Sequence, residues 1–152
     1  MNTVQLSEHF SLHEFLRSDY AARIGREIVP SEKEVENLRR LCITVLEPIR
    51  LHLGRVMFIT SGLRPEWLNT AIGGSKTSDH LEGRAADFVV HGMTPRQVCD
   101  RIVVMDIAFQ QMILEFDQWV HISVPMLRGV PARQVITARR INGKTNYLSG
   151  LV

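Results

Sequence analysis

The sequence predicts an α+β fold, a small antiparallel sheet flanked by N-terminal and middle helices. Three observations carry that reading. Apolar residues recur at helical spacing up to Gly54, and short apolar runs bounded by turn residues follow it. Two of those runs, "QMILEF" and "WVHISV", are separated only by Asp117 and Gln118, about the length of a tight antiparallel hairpin. With 152 residues, one domain over 1–152 is expected: N-terminal helices over 10–53, a central core over 55–125 and a C-terminal hairpin over 133–150.

Each element has a local reason. In "FSLHEFLRSD", Ser11 and Glu14 stand at capping-box spacing, with Leu12, Phe15 and Leu16 on one face of a short helix. Ser31 and Glu34 repeat that box at the head of a longer helix. Its stripe is Val35, Leu38, Leu41, Cys42, Val45, Leu46 and Ile49, it stops at Gly54, and Pro48 is expected to kink its last turns. "RVMFITSG" reads as a strand and "RPEWLNTAIGG" as a short helix with Pro65 at its start. A polar turn then leads into the strand "AADFVV", and "TPRQVCDRIVVMD" is a further amphipathic helix. The tail reads as a hairpin turning at Asn142-Gly143.

Composition excludes several classes. Hydrophobic residues are 45% and charged residues 22% of the chain, ordinary for a soluble globular protein. A formal charge of +2 suits an anionic polymer but is too weak to imply nucleic acid. Cys42 and Cys99 lie singly in apolar helical segments and have no CxxC partner, so they read as buried thiols and no thiolate metal site is expected. No run approaches the roughly 20 apolar residues of a membrane span. "MNTVQLSEHF" has neither a basic nor an apolar signal-peptide region, so synthesis in the cytoplasm without a signal peptide is expected. Oligomeric state is left open.

Chemistry concentrates in "SKTSDHLEGRAADFVV". His80 follows a small, polar turn where a loop can bring an imidazole to a metal, and Asp87 sits in an apolar run where an ionised carboxylate is costly unless paired or metal-bound. Two readings stay open for Asp87: an ion pair with Arg84 or another arginine, or a metal ligand. Further along, alternation puts Trp119, His121 and Ser123 on one strand face. A hairpin centred on Asp117-Gln118 sets Glu115 close to opposite Val120, beside His121. Two histidines and an aspartate leave one of zinc's four positions for water, and a nearby glutamate can serve as its base. His9, His13, His52 and His91 have no carboxylates placed in that pattern and read as structural.

"SGLRPEWLNTAIGGSKTSDHLEGRAADF" followed by "ILEFDQWVHISV" resembles the zinc D-alanyl-D-alanine carboxypeptidases and related murein metallopeptidases, whose zinc site hedgehog domains share. The motifs are Ser61-Gly62-Leu63-Arg64, then Ser78, His80 and Asp87, then Glu115 ahead of His121. "HFSLHEFLRSDYAARIG" and "ITARRINGKTNYLSGL" resemble the phage and prophage branch. The resemblance implies that His80, Asp87 and His121 hold Zn2+ on the sheet. It makes Glu115 the general base and Arg64 the stabiliser of charge on the scissile carbonyl, with Ser78, Arg64 and Trp119 meeting substrate. It implies a peptidase cutting the stem peptide of bacterial peptidoglycan, as a carboxypeptidase or as an L-alanyl-D-glutamate endopeptidase. Such an enzyme would reach the wall after holin-type release or in a virion; a non-catalytic wall-binding module of the same fold is the alternative.

Two positions depart from that pattern. Trp119 stands where some members have a histidine, and Gln118 where others have their base. Glu115 is therefore preferred as the base, over Gln118 and over Asp117, which reads as a solvated turn residue.

Overall fold

Capping and amphipathic spacing put most of the helix ahead of Gly54 in the computed structural model, which describes residues 3–152. Leu12–Phe15 form a 3-10 turn in which the Ser11 amide donates to the Glu14 carboxylate at 2.7 Å. A five-residue helix α1 follows over Asp19–Arg23. Helix α2 spans Glu32–Leu41 with the expected Ser31/Glu34 box. It runs through a wide π turn over Cys42–Leu46 into α3, Glu47–Leu53, ended by Gly54 at φ +63°. Proline has no N–H and crowds the carbonyl four residues back. The wider turn, in which the Glu47 amide reaches the Cys42 carbonyl, accommodates Pro48 within a continuing helical segment. Helices α4, Glu66–Ala71, and α5, Pro95–Val103, complete the set.

Six strands form one sheet: β1 Met57–Ser61, β2 Ala85–Val90, β3 Gln111–Glu115, β4 Trp119–Ser123, β5 Gln134–Ile141 and β6 Lys144–Ser149, in the order β1-β2-β4-β3-β5-β6. The expected antiparallel sheet is the β1-β2-β4-β3 portion. The C-terminal hairpin, turning at Asn142-Gly143 with both φ positive, extends it through a parallel β3–β5 pairing. That pairing depends on a long connection after β4, to which local periodicity is blind.

Register separates two faces. Ala86, Ile122 and Met112 form one cross-strand row, and Phe88, Val120 and Leu114 another. All six are buried, in one core with Leu38, Leu41, Val45, Leu46 and Ile49 of the long helical segment and Val98, Cys99 and Ile102 of α5. The intervening row, Asp87–His121–Ile113, points to the other face.

The β3–β4 turn differs from expectation. It contains three residues, Phe116 to Gln118, so Glu115 pairs with Trp119 and Ile113 with His121. Phe116 and Asp117 both take φ +55° without being glycine, a conformation that costs of order 1 kcal/mol or more per residue. The Phe116 ring packs edge-on against Trp119, centroids 5.7 Å apart, and its amide donates to the Ala138 carbonyl at 3.0 Å. Tertiary contacts of this kind hold the turn where sequence alone favours glycine.

Candidate metal centre

Asp87 and His121 are direct partners on neighbouring strands, which by sheet geometry sets their Cβ atoms about 5 Å apart on the same face. His80 arrives from a 3-10 turn, Asp79–Glu82, that Ser78 opens by accepting from the His80 amide at 3.2 Å. Arg84 holds this turn: its guanidinium donates to Asp79 at 2.8 Å, Glu82 at 2.9 Å and the Val124 carbonyl at 3.3 Å. Arg84 therefore neutralises the loop, and among the described residues neither it nor any other arginine forms an ion pair with Asp87, whose partners are His80 and His121.

Three atoms converge. His80 Nε2 lies 3.1 Å from Asp87 Oδ1 and 3.1 Å from His121 Nδ1, and His121 Nδ1 lies 3.0 Å from Asp87 Oδ1. His80 is fully buried, and Asp87 and His121 are 8% and 6% exposed. His80 Nδ1 lies 2.7 Å from the Gly62 carbonyl. A carbonyl only accepts, so this nitrogen carries the proton, and in the neutral ring Nε2 is then the bare nitrogen turned towards Asp87 and His121. A single proton can satisfy one edge of that triangle, whereas a metal ion satisfies all three. A tetrahedral zinc with bonds near 2.0–2.1 Å requires donor atoms about 3.3 Å apart, a few tenths of an ångström wider than found. The donor set and its spacing fit such an ion. Burial pushes the Asp87 carboxyl up; with the imidazoles protonated, the charge and hydrogen bonds of His80 and His121 outweigh it and hold the group well below the usual carboxylate range, and with neutral rings a cation takes over that role.

Gly62 is essential to this arrangement. A Cβ there would lie 2.6 Å from the backbone and side chain of Phe15, so only glycine lets the chain pass close enough to aim its carbonyl at His80.

Glu115 shares the His121 face, one diagonal step away across β3–β4, typically about 7–8 Å between backbones. This corrects the placement opposite Val120, a residue of the core face. Burial and the Asp87 charge push the Glu115 carboxyl above its ordinary value, with His121 and Arg64 opposing. Asp117 is exposed at the turn and outside the cleft lining. Arg64 donates its amide to the His80 carbonyl at 3.0 Å and Nη2 to Ser78 Oγ at 3.4 Å, while its buried Nε has no partner. Burial lowers the Arg64 pKa, and Asp87 and Glu115 act the other way. Arg64, Ser78, Asp87, Glu115, Trp119 and His121 all line one cleft of about 1020 Å³.

The cleft also takes in residues that the sequence did not single out. Gln134, Ile136, Arg140 and Tyr147 come from the C-terminal hairpin, and joining them requires the long-range β3–β5 pairing. One structural histidine acquires a carboxylate partner: His9 Nδ1 lies 2.8 Å from Glu47, which also accepts from Ser7 Oγ at 2.6 Å. That cluster ties the N-terminal segment to α3 and lies apart from the cleft lining.

The three converging donor atoms could hold a metal ion, and a carboxylate and a guanidinium line the same cleft, a donor set that suits a hydrolytic metal centre. The family follows from sequence comparison. The family model described as Peptidase M15 matches residues 8–123, and the chain belongs to that family. No curated protein matches it closely enough to count as a relative. Among the described residues, no helix is long and apolar enough to cross a membrane.

Proposed function

We propose that this chain is a zinc peptidase that hydrolyses a peptide bond in the stem peptide of bacterial peptidoglycan. The observation that carries the proposal is the buried triangle of His80, Asp87 and His121 with the His80 tautomer fixed by Gly62, and Glu115 on the same sheet face. Zinc held by these three side chains would supply Lewis-acid activation, which lowers the pKa of water from about 15.7 to roughly 7.

The remaining steps belong to the chain. Glu115 takes a proton from water at its carboxylate and returns it to the leaving amine; a carboxyl biased upward by burial is better matched to both tasks. Arg64, with a free Nε–H and a side chain tethered to Ser78, donates to the scissile carbonyl oxygen as negative charge builds there. Ser78 orients Arg64 and binds substrate, and Trp119 floors the cleft beneath the peptide. The bond cut is D-alanyl-D-alanine at the end of the stem or L-alanyl-D-glutamate nearer the glycan. The likeness of the N-terminal and C-terminal segments to phage lysis proteins supports action on the wall in a lysis or virion setting.

Digestion of purified murein, with mass analysis of the fragments, tests the reading and locates the bond. Soluble fragments that differ by the expected stem residues support it. Protein with stoichiometric zinc that leaves murein and its stem peptides uncut would overturn it in favour of a non-catalytic wall-binding module.

A further inference from the structure

The cleft extends past the metal triangle onto the face of the C-terminal hairpin, beyond residue 123 where the family match stops. Its cations are not equivalent. Arg84 is consumed by Asp79 and Glu82, and Arg64 is tethered to Ser78 beside the metal triangle. Arg140 forms no ion pair among the described residues, where the paired arginines are Arg39, Arg84 and Arg96. Its guanidinium carbon instead lies 5.7 Å from the centroid of the Phe116 ring, a cation–π contact that restrains the side chain without neutralising it.

Register fixes where that cation stands. Glu115 pairs with Ala138 across β3–β5, and Arg140 is two residues further along β5, on the same face. Glu115 thus has His121 on its β4 diagonal and Arg140 on its β5 diagonal, each about 7–8 Å away by strand geometry. That span equals about two residues of an extended peptide at roughly 3.3 Å each. Tyr147, opposite Ala138 on β6, brings a hydroxyl to the same stretch of floor. Among the described residues Glu115 and Arg140 form no ion pair, so Arg140 is left for a partner outside the catalytic group.

We propose that Arg140 is a specificity residue: it binds a free carboxylate of the substrate peptide, on the far side of Glu115 from the metal triangle and so up to about four residues from the bond that is cut. An arginine suits this because its planar fork can hold a carboxylate bidentately. The carboxylate could be an internal acidic side chain or the peptide's own C-terminus. The inference rests on the peptidase reading, and its test separates the two.

Zinc-loaded protein is titrated by calorimetry with three synthetic stem peptides: the parent, one with its internal acidic side chain amidated, and one with its C-terminus amidated. Cleavage of each is followed by mass analysis. One of the two amidations should weaken wild-type binding about 10-fold, the scale of a charge-assisted hydrogen bond, and thereby identify the carboxylate. Arg140→Ala should bind parent and amidated peptides alike, Arg140→Lys should regain part of the preference, and circular dichroism should show both variants folded. Indifference to both amidations, a preference that Arg140→Ala retains, or no binding of any peptide would overturn the proposal. Cleavage without carboxylate preference sinks Arg140's role and leaves the peptidase reading intact. A preference lost in Arg140→Ala without any cleavage does the reverse.

Discussion

His80, Asp87 and His121 are almost wholly buried, and each meets the other two at 3.0–3.1 Å. Arg140 and Tyr147, on the same sheet face two and three strands from β4, are exposed, and Arg140 rests on one aromatic ring. The first half of the cleft is pre-organised: every donor is positioned by paired strands or by a braced loop, so its geometry stands before any ligand arrives. The second half leaves Arg140 without an ion pair among the described residues. On the proposed reading, the donor atoms that must be placed to a few tenths of an ångström stand on buried antiparallel strands, and selection among peptides would fall to the exposed hairpin beside them.

Removing a member of the buried half should have the largest effect. His121→Ala should abolish murein cleavage, because two donors cannot replace the closed triangle; residual turnover within about 10-fold of wild type would contradict its assignment. Glu115→Ala should retain zinc while kcat falls about 10²–10⁴-fold, the usual contribution of a positioned base. Loss of zinc in this variant would show Glu115 to be a ligand instead.

The pH profile sharpens the same contrast. As the proposed base, Glu115 would work only when ionised, and burial and Asp87 hold its pKa above the ordinary 4.5. The acid limb of kcat/KM should therefore lie above that value, with activity lost as pH falls through it. Arg64 opposes this rise, so Arg64→Ala should move the limb to higher pH as well as slow turnover.

A smaller effect is expected one step out from the donors. Gly62→Ala forces the Phe15 backbone away and shifts the carbonyl that fixes His80. Zinc affinity, measured by chelator competition, should fall about 10–100-fold, as for other groups that orient metal-bound histidines. The Arg140 variants sit at the other end of the comparison: binding of one carboxylate should change while zinc uptake does not.

How much of this was legible in the sequence follows the same division. Local physics marks the capped helices, and alternation sets His121 opposite the core face. Small polar residues around His80 and the lone carboxylate of "AADFVV" point to the site before any coordinates. The β3–β4 turn was misjudged by one residue because Phe116 and Asp117 hold left-handed backbone that tertiary packing stabilises. That single residue moves Glu115 from the core face to the His121 face. The Gly62 carbonyl, the cleft's C-terminal wall and the Ser7–His9–Glu47 cluster depend on contacts between segments 18 to 40 residues apart or more, over which periodicity carries no information.

Zinc titration into metal-stripped protein tests the central claim most directly. The wild-type chain should take up one equivalent, and Asp87→Ala none under the same conditions. A wild-type protein that binds no zinc, or an Asp87→Ala protein that binds it equally well, would contradict the assignment of the triangle as a metal centre.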